Sequence, residues 1–388
     1  MNQTTKRFEV VDALRGFAIV SIMLLHNLEH FDFYFTPPNL PPFIQHTDKI
    51  IWDTLFFLFS GKVYAIFSLL FGLTFFIQSN NQAKKGKDFR LRFAWRMLLL
   101  LAFGTINSAF YEGDILSFYA IIGIFILPFA KLNSKTVFWI AVFLIFQPYE
   151  WTKFILAAQT PDAVVANPLS WSYFGRMGEY ITGDSILKTF IGNLTNGKKG
   201  VFIWSWEQGR VFQTLALFLF GMLAGRKKLF DLSDKNKKFW MYSLLISILV
   251  FIPLFFIRKS MGHLIESAAM RRPISTIIAS WRNLAFMMIL VSGFTLLFQL
   301  KAFYKVLNTF SPMGRMSLSN YIIQSVIGSI IYYGFGFGLY QYTGATYCLG
   351  IGMALAILQG MFSTWWFKSH RFGPLEYIWH KGTWIGAE

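Results

Sequence analysis

FEVVDALRGFAIVSIMLLHNLEH, residues 8–30, is the stretch whose reading decides the fold. As a helix it is long enough to span a membrane, since a hydrocarbon core of ~30 Å takes about 20 apolar residues. It nevertheless carries Asp12, Arg15, His26 and His30. The eleven steps from Arg15 to His26 bring a helix back to within about 20° of the same face, ~16 Å further along its axis. Asp12 stands three residues before Arg15 and His30 four after His26, so all four lie on or near one wall. Ionisable groups cost several kcal/mol at membrane depth and normally face a protein interior or a wet cavity. Either Asp12 pairs with Arg15 near the interface while the histidines cap the far end, or the wall belongs to a working site.

The rest of the chain fits a membrane setting. Of its 388 residues 55% are hydrophobic and only 14% charged, and the mean hydropathy is +0.46. A soluble domain has roughly 25% charged residues, so the fold expected is all-α, a polytopic helical membrane protein in one domain spanning 1–388. No cleavable signal peptide is expected, because the first apolar helix contains Asp12 and Arg15 and lacks a small-residue cleavage site. The formal charge of +17 lies mostly in short loops between apolar stretches, as the positive-inside rule produces, so nucleic acid is not expected as a partner. Cys348 is the single cysteine, which excludes an intramolecular disulfide and a Cys-cluster metal site; no metal is expected.

Ten spans are predicted, at about 8–29, 50–78, 92–108, 115–130, 137–157, 208–225, 239–257, 277–299, 316–334 and 344–366. Ser60-Gly61-Lys62 in the middle of the second predicts a break or kink. The loops assigned inside, the basic one at 79–96 among them, hold 21 of the 36 Lys and Arg and those assigned outside hold 10, so both termini are expected to be cytoplasmic. Arg258, Lys259, Arg271 and Arg272 would then lie outside; either they line a path for an anionic ligand or the seventh span is misplaced. Residues 149–203, rich in aromatic and apolar residues broken by Gly and Pro, read as an extracytoplasmic segment of short interfacial helices.

Polar residues within these spans are the candidate site residues. His46, Asp48 and Asp53 cluster before the second span, where an Asp at a helix N-terminus with His46 in solvent explains them equally well. Lys62 needs a partner at depth, and Asp53 and Asp12 are the acids expected to supply it. Ser68 and Gly72, four apart, read as a small-residue packing stripe. Glu112 and Asp114 are expected at the outer mouth, where the following helix N-terminus accounts for them. Glu207 and Arg210, three apart, can pair locally; Arg282 has no local acid and should face a cavity, a distant acid or an anionic ligand. In FSPMGRMSLSNYIIQSVIG (310–328), Ser317, Asn320, Tyr321 and Gln324 share one helix face, which interhelical hydrogen bonds alone would explain.

The spacing from Arg15 to His26 resembles the Arg-x10-His motif in the first membrane helix of the acyltransferase-three family. The same helix looks like that of YeiB-like bacterial membrane proteins and of heparan-α-glucosaminide N-acetyltransferases, where asparagine is expected in place of His26. GKVYAIFSLLFGLTFF, the Asp-Ile-Leu of YEGDILSFYAIIG, the Gly-Arg…Ser-Asn-Tyr…Gln-Ser run at 314–325 and HRFGPLEYIWHKGTW (370–384) are similar to the YeiB-like pattern over nearly the whole chain. His380 or Lys381 stands where that pattern ends on a basic residue.

The resemblance implies a transmembrane acyltransferase in a bacterial cytoplasmic (inner) membrane. It would take an acyl group, acetyl above all, from cytoplasmic acyl-CoA to an acceptor, often a sugar, at the outer face. A histidine in apolar surroundings is neutral at pH 7, the form a general base needs. His26 is then the expected base and Arg15 a cavity residue, with His46 the alternative base. Arg315, Lys381, Asn320, Gln324 and Lys62 are the expected donor-binding residues. The lipid bilayer and acyl-CoA are the implied partners, and a homo-oligomer is compatible with them. A carrier for a small polar or anionic solute would use the same charges as a substrate path. Against it, no paired Gly/Pro-interrupted spans occur in corresponding halves. A membrane scaffold or sensor is the third reading. Specific binding of acetyl-CoA separates the first from the other two.

Overall fold

A computed structural model describes residues 9–29, 37 and 39–386. These residues form helices and no strand. The first half holds α1 (Glu9–Glu29), α2 (Pro42–Phe59), α3 (Val63–Ala83), α4 (Arg90–Phe110), α5 (Leu116–Ile124), α6 (Ser134–Ile145) and α7 (Pro148–Gln159). Four short helices follow: α8 (Leu169–Phe174), α9 (Gly178–Ile181), α10 (Ile186–Gly192) and α11 (Lys198–Glu207). Next come α12 (Arg210–Arg226), α13 (Asp234–Lys259), α14 (Met261–Leu264), α15 (Ala268–Phe298) and α16 (Lys301–Asn308). The chain closes with α17 (Ser311–Arg315), α18 (Ser317–Tyr332), α19 (Ala345–Trp366) and α20 (Pro374–Thr383).

Every stretch predicted to span is helical. Among the described residues 6 helical segments are long and apolar enough to cross a membrane: Pro42–Ala83, Arg90–Phe110, Ser134–Gln159, Asp234–Lys259, Ala268–Phe298 and Ala345–Trp366. α5, α12 and α18 are shorter, and α1 carries the charged residues already noted. The break expected at Ser60-Gly61-Lys62 separates α2 from α3. Gly61 has φ 74°, and a Cβ there would strike the Asn283 side chain, so both backbone and space require glycine. A second break, which the sequence reading did not place, separates α6 from α7. Gln147 is left-handed with φ 59°, ahead of Pro148. The proline disfavours the helical conformation at Gln147, whose amide donates instead to Gly209 O and Ser280 Oγ, both at 3.0 Å.

The charged first helix is the centre of the bundle. Ala13, Leu14, Ala18, Ile19 and Met23 are buried against α2, α3, α15, α17, α18 and α19. Its polar wall therefore faces protein rather than lipid. Close approach is made at glycines: a Cβ on Gly16 would overlap the Phe310 carbonyl, and one on Gly314 the Asp12 carbonyl. Gly72 and Gly221 lock α3 to α12 in the same way, so the Ser68/Gly72 stripe is a packing surface. α13 lies at the periphery and exposes Met241, Leu245, Leu249, Ile252 and Phe256. Such a stripe is a liability in water and ordinary against acyl chains.

Candidate functional site

The polar wall of α1 runs past two chambers. The first, about 550 Å³, is lined by His26, Tyr64, Tyr111, Glu112, Asp114, Arg210 and Tyr321, with Ser60 and Gly61 of the α2–α3 break. The segment 149–203 closes it: Trp171, Phe174, Met177 and Ile181 from α8, α9 and the turn between them, with Trp204 of α11, contribute to its lining. The second, about 310 Å³, is lined by Arg15, Thr74, Arg96, Arg315, Glu376 and His380. Ile22, Ile115 and Tyr321 line both. A thin partition of two isoleucines and a tyrosine is therefore what separates an arginine-lined chamber from a histidine-bearing one.

In the His26 chamber the imidazole is buried, its ring centre 4.7 Å from that of Tyr111 and 6.0 Å from that of Tyr321. Asp114 caps α5, accepting from Leu116 N at 3.1 Å and Ser117 N at 2.9 Å, and takes a further bond from Asn107 Nδ2 at 3.0 Å. Glu112 accepts from Tyr333 Oη at 2.9 Å. The helix-terminus explanation of Asp114 holds in geometry, yet both acids also border the chamber. Tyr321 Oη accepts from Ile115 N at 3.3 Å, which pins its ring in the partition.

In the arginine chamber one guanidinium is held by an acid and a hydroxyl and two are stacked on aromatic rings. Arg15 donates to Asp12 at 3.0 Å and to Thr74 at 3.2 Å, so the Asp12–Arg15 pair read from the sequence is present. Arg96 lies 3.5 Å over the Trp379 ring and donates to Thr383 Oγ1 at 3.3 Å. Arg315 lies 3.8 Å over Phe367. Stacking of this kind fixes the plane of the cation. Glu376 accepts from Leu318 N, Ser319 N and Ser319 Oγ at 2.7, 3.0 and 2.6 Å. Burial pushes its carboxyl above the usual value, and its bonds to Ser319 and Leu318 oppose that rise.

The expected site residues divide accordingly. His26, Arg15 and Arg315 line chambers. His46 is exposed on the first turns of α2 and borders neither chamber, while the nearby Asp48 accepts from Thr346 N at 2.7 Å. Lys381 is exposed and outside the chamber lining, because α20 turns His380 to that side. Asn320 is buried in α18, where its Nδ2 donates to Met313 O at 3.2 Å and to Ser363 Oγ at 3.0 Å; it ties α18 to α17 and α19. Gln324 is buried too, and neither amide atom finds a partner among the described residues.

Lys62 is not paired with Asp53 or Asp12. Asp53 binds Lys49 at 2.8 Å and Asp12 binds Arg15, while the Lys62 ammonium lies 5.5 Å from the Phe286 ring centre and 3.5 Å from Phe56 O. Nor do Glu207 and Arg210 pair. Glu207 turns to α8, accepting from Leu169 N at 2.7 Å and Ser170 Oγ at 2.6 Å. His30 lies outside the described residues.

Sequence reasoning missed Arg96, which it counted with the basic loop at 79–96, and Tyr111. The signal for Arg96 was its place nearly two helical turns inside α4, deeper than a topology charge needs to be.

Comparison with known proteins agrees with the C-terminal motifs. A family described as "Protein of unknown function (DUF418)" matches residues 224–386, which include the runs at 310–328 and 370–384; the YeiB-like resemblance is to this family. "Uncharacterized protein YxaH" of Bacillus subtilis (strain 168) is 28% identical, covering 98% of this chain and 95% of the relative. "Uncharacterized 39.9 kDa protein in amylase 3'region" of Bacillus acidopullulyticus is 26% identical, covering 97% and 94%. No solved structure matches.

Proposed function

We propose that the chain is a transmembrane acyltransferase of the bacterial cytoplasmic membrane, with about ten spans and both termini cytoplasmic. It passes an acyl group, acetyl in the simplest case, from cytoplasmic acyl-CoA to a hydroxyl or amine of an acceptor at the outer face. The observation that carries this reading is the pair of chambers meeting at Ile22, Ile115 and Tyr321. In the orientation expected from the loop charges the arginine chamber faces the cytoplasm, and its cations suit the phosphates of CoA. The pantetheine arm is long and thin, so it can pass the partition and bring the thioester to His26 while the nucleotide stays behind.

His26 then acts as general base. It removes the proton of the acceptor group, whose oxygen or nitrogen attacks the thioester carbonyl. The tetrahedral intermediate collapses with loss of the CoA thiolate, which takes the proton back from the imidazolium. Tyr321 is placed to donate to the developing oxyanion from the partition.

Titration of the detergent-solubilised protein with acetyl-CoA tests the reading. Saturable binding that is competed by CoA and weakened by salt is expected. Its absence would favour a carrier, in which the two chambers are alternate ends of one path.

A further inference from the structure

Arg210 is a cation of the His26 chamber that acyl transfer does not use. It is the first residue of α12 and lines the chamber. Its guanidinium is sandwiched between two rings, 4.3 Å from the centre of Tyr64 and 3.9 Å from that of Trp204. Both rings are themselves held: Tyr64 by a hydrogen bond to Gln213, and Trp204 by its place in the short α11 helix. Among the described residues no carboxylate pairs with Arg210. The nearest acid in sequence, Glu207, is fully engaged with α8. The rings fix the plane of the guanidinium and cover its faces. They do nothing for its five N–H donors, which point outward in that plane and require oxygen acceptors.

Two further cations lie by the α2–α3 break, whose Ser60 and Gly61 line the chamber. Lys62, beside the lining residues Ser60 and Gly61, is buried with rings rather than an acid around its ammonium. Among the described residues Arg282 has a 3.4 Å bond to Asn283, and its buried Nε finds no acceptor. Of the three cations only Arg210 lines the chamber, so an anion's contact there would be with Arg210.

We infer that the ligand of the His26 chamber carries an anionic group, a phosphate or a carboxylate, which Arg210 holds in the fork of its guanidinium. The inference deepens the acyl-transfer reading and rests on it for the word acceptor: the acceptor would be a phosphorylated or acidic sugar-sized molecule. A chamber of about 550 Å³ lined by Trp171, Trp204 and Tyr111 has the size and the aromatic walls for one. Bidentate contact at one end would hold a hydroxyl of the same molecule in a fixed place relative to His26.

The test uses the full chain in detergent at constant ionic strength, with binding followed by calorimetry. The probes are glucose 6-phosphate, glucuronate, glucose and inorganic phosphate. Glucose 6-phosphate or glucuronate should bind at least tenfold more tightly than glucose. Arg210→Gln should abolish that preference and Arg210→Lys should keep part of it, because a point charge replaces a fork. Inorganic phosphate binding as tightly as the sugar phosphate would reduce the inference to a free-anion site and overturn the acceptor class. Equal binding of charged and neutral sugars, no binding of any probe, or an unchanged preference in Arg210→Gln would overturn it outright. Acetyl-CoA titrated into Arg210→Gln reports whether the variant is folded. Charged probes that bind through Arg210 while acetyl-CoA does not would remove the acyl-transfer reading and leave the anion site. The opposite result would do the reverse.

Discussion

Glu376 caps the helix that carries Asn320 and Tyr321, accepting from the backbone N–H of Ser319 at 3.0 Å and from its hydroxyl at 2.6 Å. The serine oxygen in turn accepts from Leu375 N at 3.0 Å. The two C-terminal motifs, 57 residues apart, are thus two halves of one joint. It fixes the start of α18 and, through it, the position of Tyr321 between the chambers. Glu376→Ala would leave the amides of Leu318 and Ser319 without their acceptor. Loss of about 2 kcal/mol of stability is expected, in the range for a buried hydrogen-bonding group stripped of its partner. Thermal unfolding in detergent measures it, and a variant as stable as the parent would show the joint to be dispensable.

The same carboxylate gives the protein a pH dependence of defined sign. Burial holds the folded-state pKa of Glu376 above its ordinary value of 4.5. Between those two values the folded state binds more protons than the unfolded state, so this group's contribution falls as pH rises. Glu376→Gln removes the titration while keeping an acceptor. The difference in melting temperature, parent minus Glu376→Gln, should be largest at or below pH 4.5 and decline as pH rises through the raised pKa. A difference that grows with pH would contradict the sign.

The legibility of this protein in its sequence follows from range. Periodicity and hydropathy are local, so the helices, the break at Gly61 and the pairing of Asp12 with Arg15 could be read directly. The wall shared by Arg15 and His26 was also readable, because helix geometry fixes it over eleven residues. What could not be read was which neighbours meet that wall. Lys62 at depth called for an acid on the rule that buried charges pair, but α15 brings it Phe286 and Arg282 instead. Lys381 and His380 are adjacent, and only the docking angle of α20 decides that the histidine reaches the chamber. Arg96 looked like a topology charge until Trp379, nearly 300 residues away, was found beneath it.

Topology can be tested at one residue. Cys348 is buried, so the parent should resist a membrane-impermeant maleimide. Thr195 is exposed in the segment over the His26 chamber. Thr195→Cys in intact cells should be labelled from outside. Labelling only after the cytoplasmic face is opened would invert the orientation and exchange the roles of the two chambers.

The base is tested by a pair of variants. Membranes supplied with labelled acetyl-CoA should pass label to an envelope component, and His26→Ala should reduce that transfer by roughly 100- to 10,000-fold, the usual contribution of general acid–base catalysis. Acetyl-CoA binding should survive the change. His46→Ala should leave transfer near the parent level, since His46 is exposed on α2 and borders neither chamber. The opposite pattern would move the base to the loop and detach the chemistry from the partition.

The donor site is tested by comparing cations in and out of the arginine chamber. Arg315 and Arg96 line it, each stacked on an aromatic ring and so held in place before a ligand arrives. A charge-assisted hydrogen bond contributes about 1.5–3 kcal/mol, so Arg96→Gln should weaken CoA binding about 10- to 100-fold. Arg315→Glu, which adds repulsion to the loss, should weaken it at least as much. Lys381→Glu and Lys85→Glu, both at exposed positions, should change it little. Raising the salt concentration should weaken binding in the parent and less steeply in Arg96→Gln, because one phosphate contact is already missing. Equal losses at Lys85 and Arg315 would mean that CoA responds to the general basic field of this face. The arginine chamber would then have no claim to the donor.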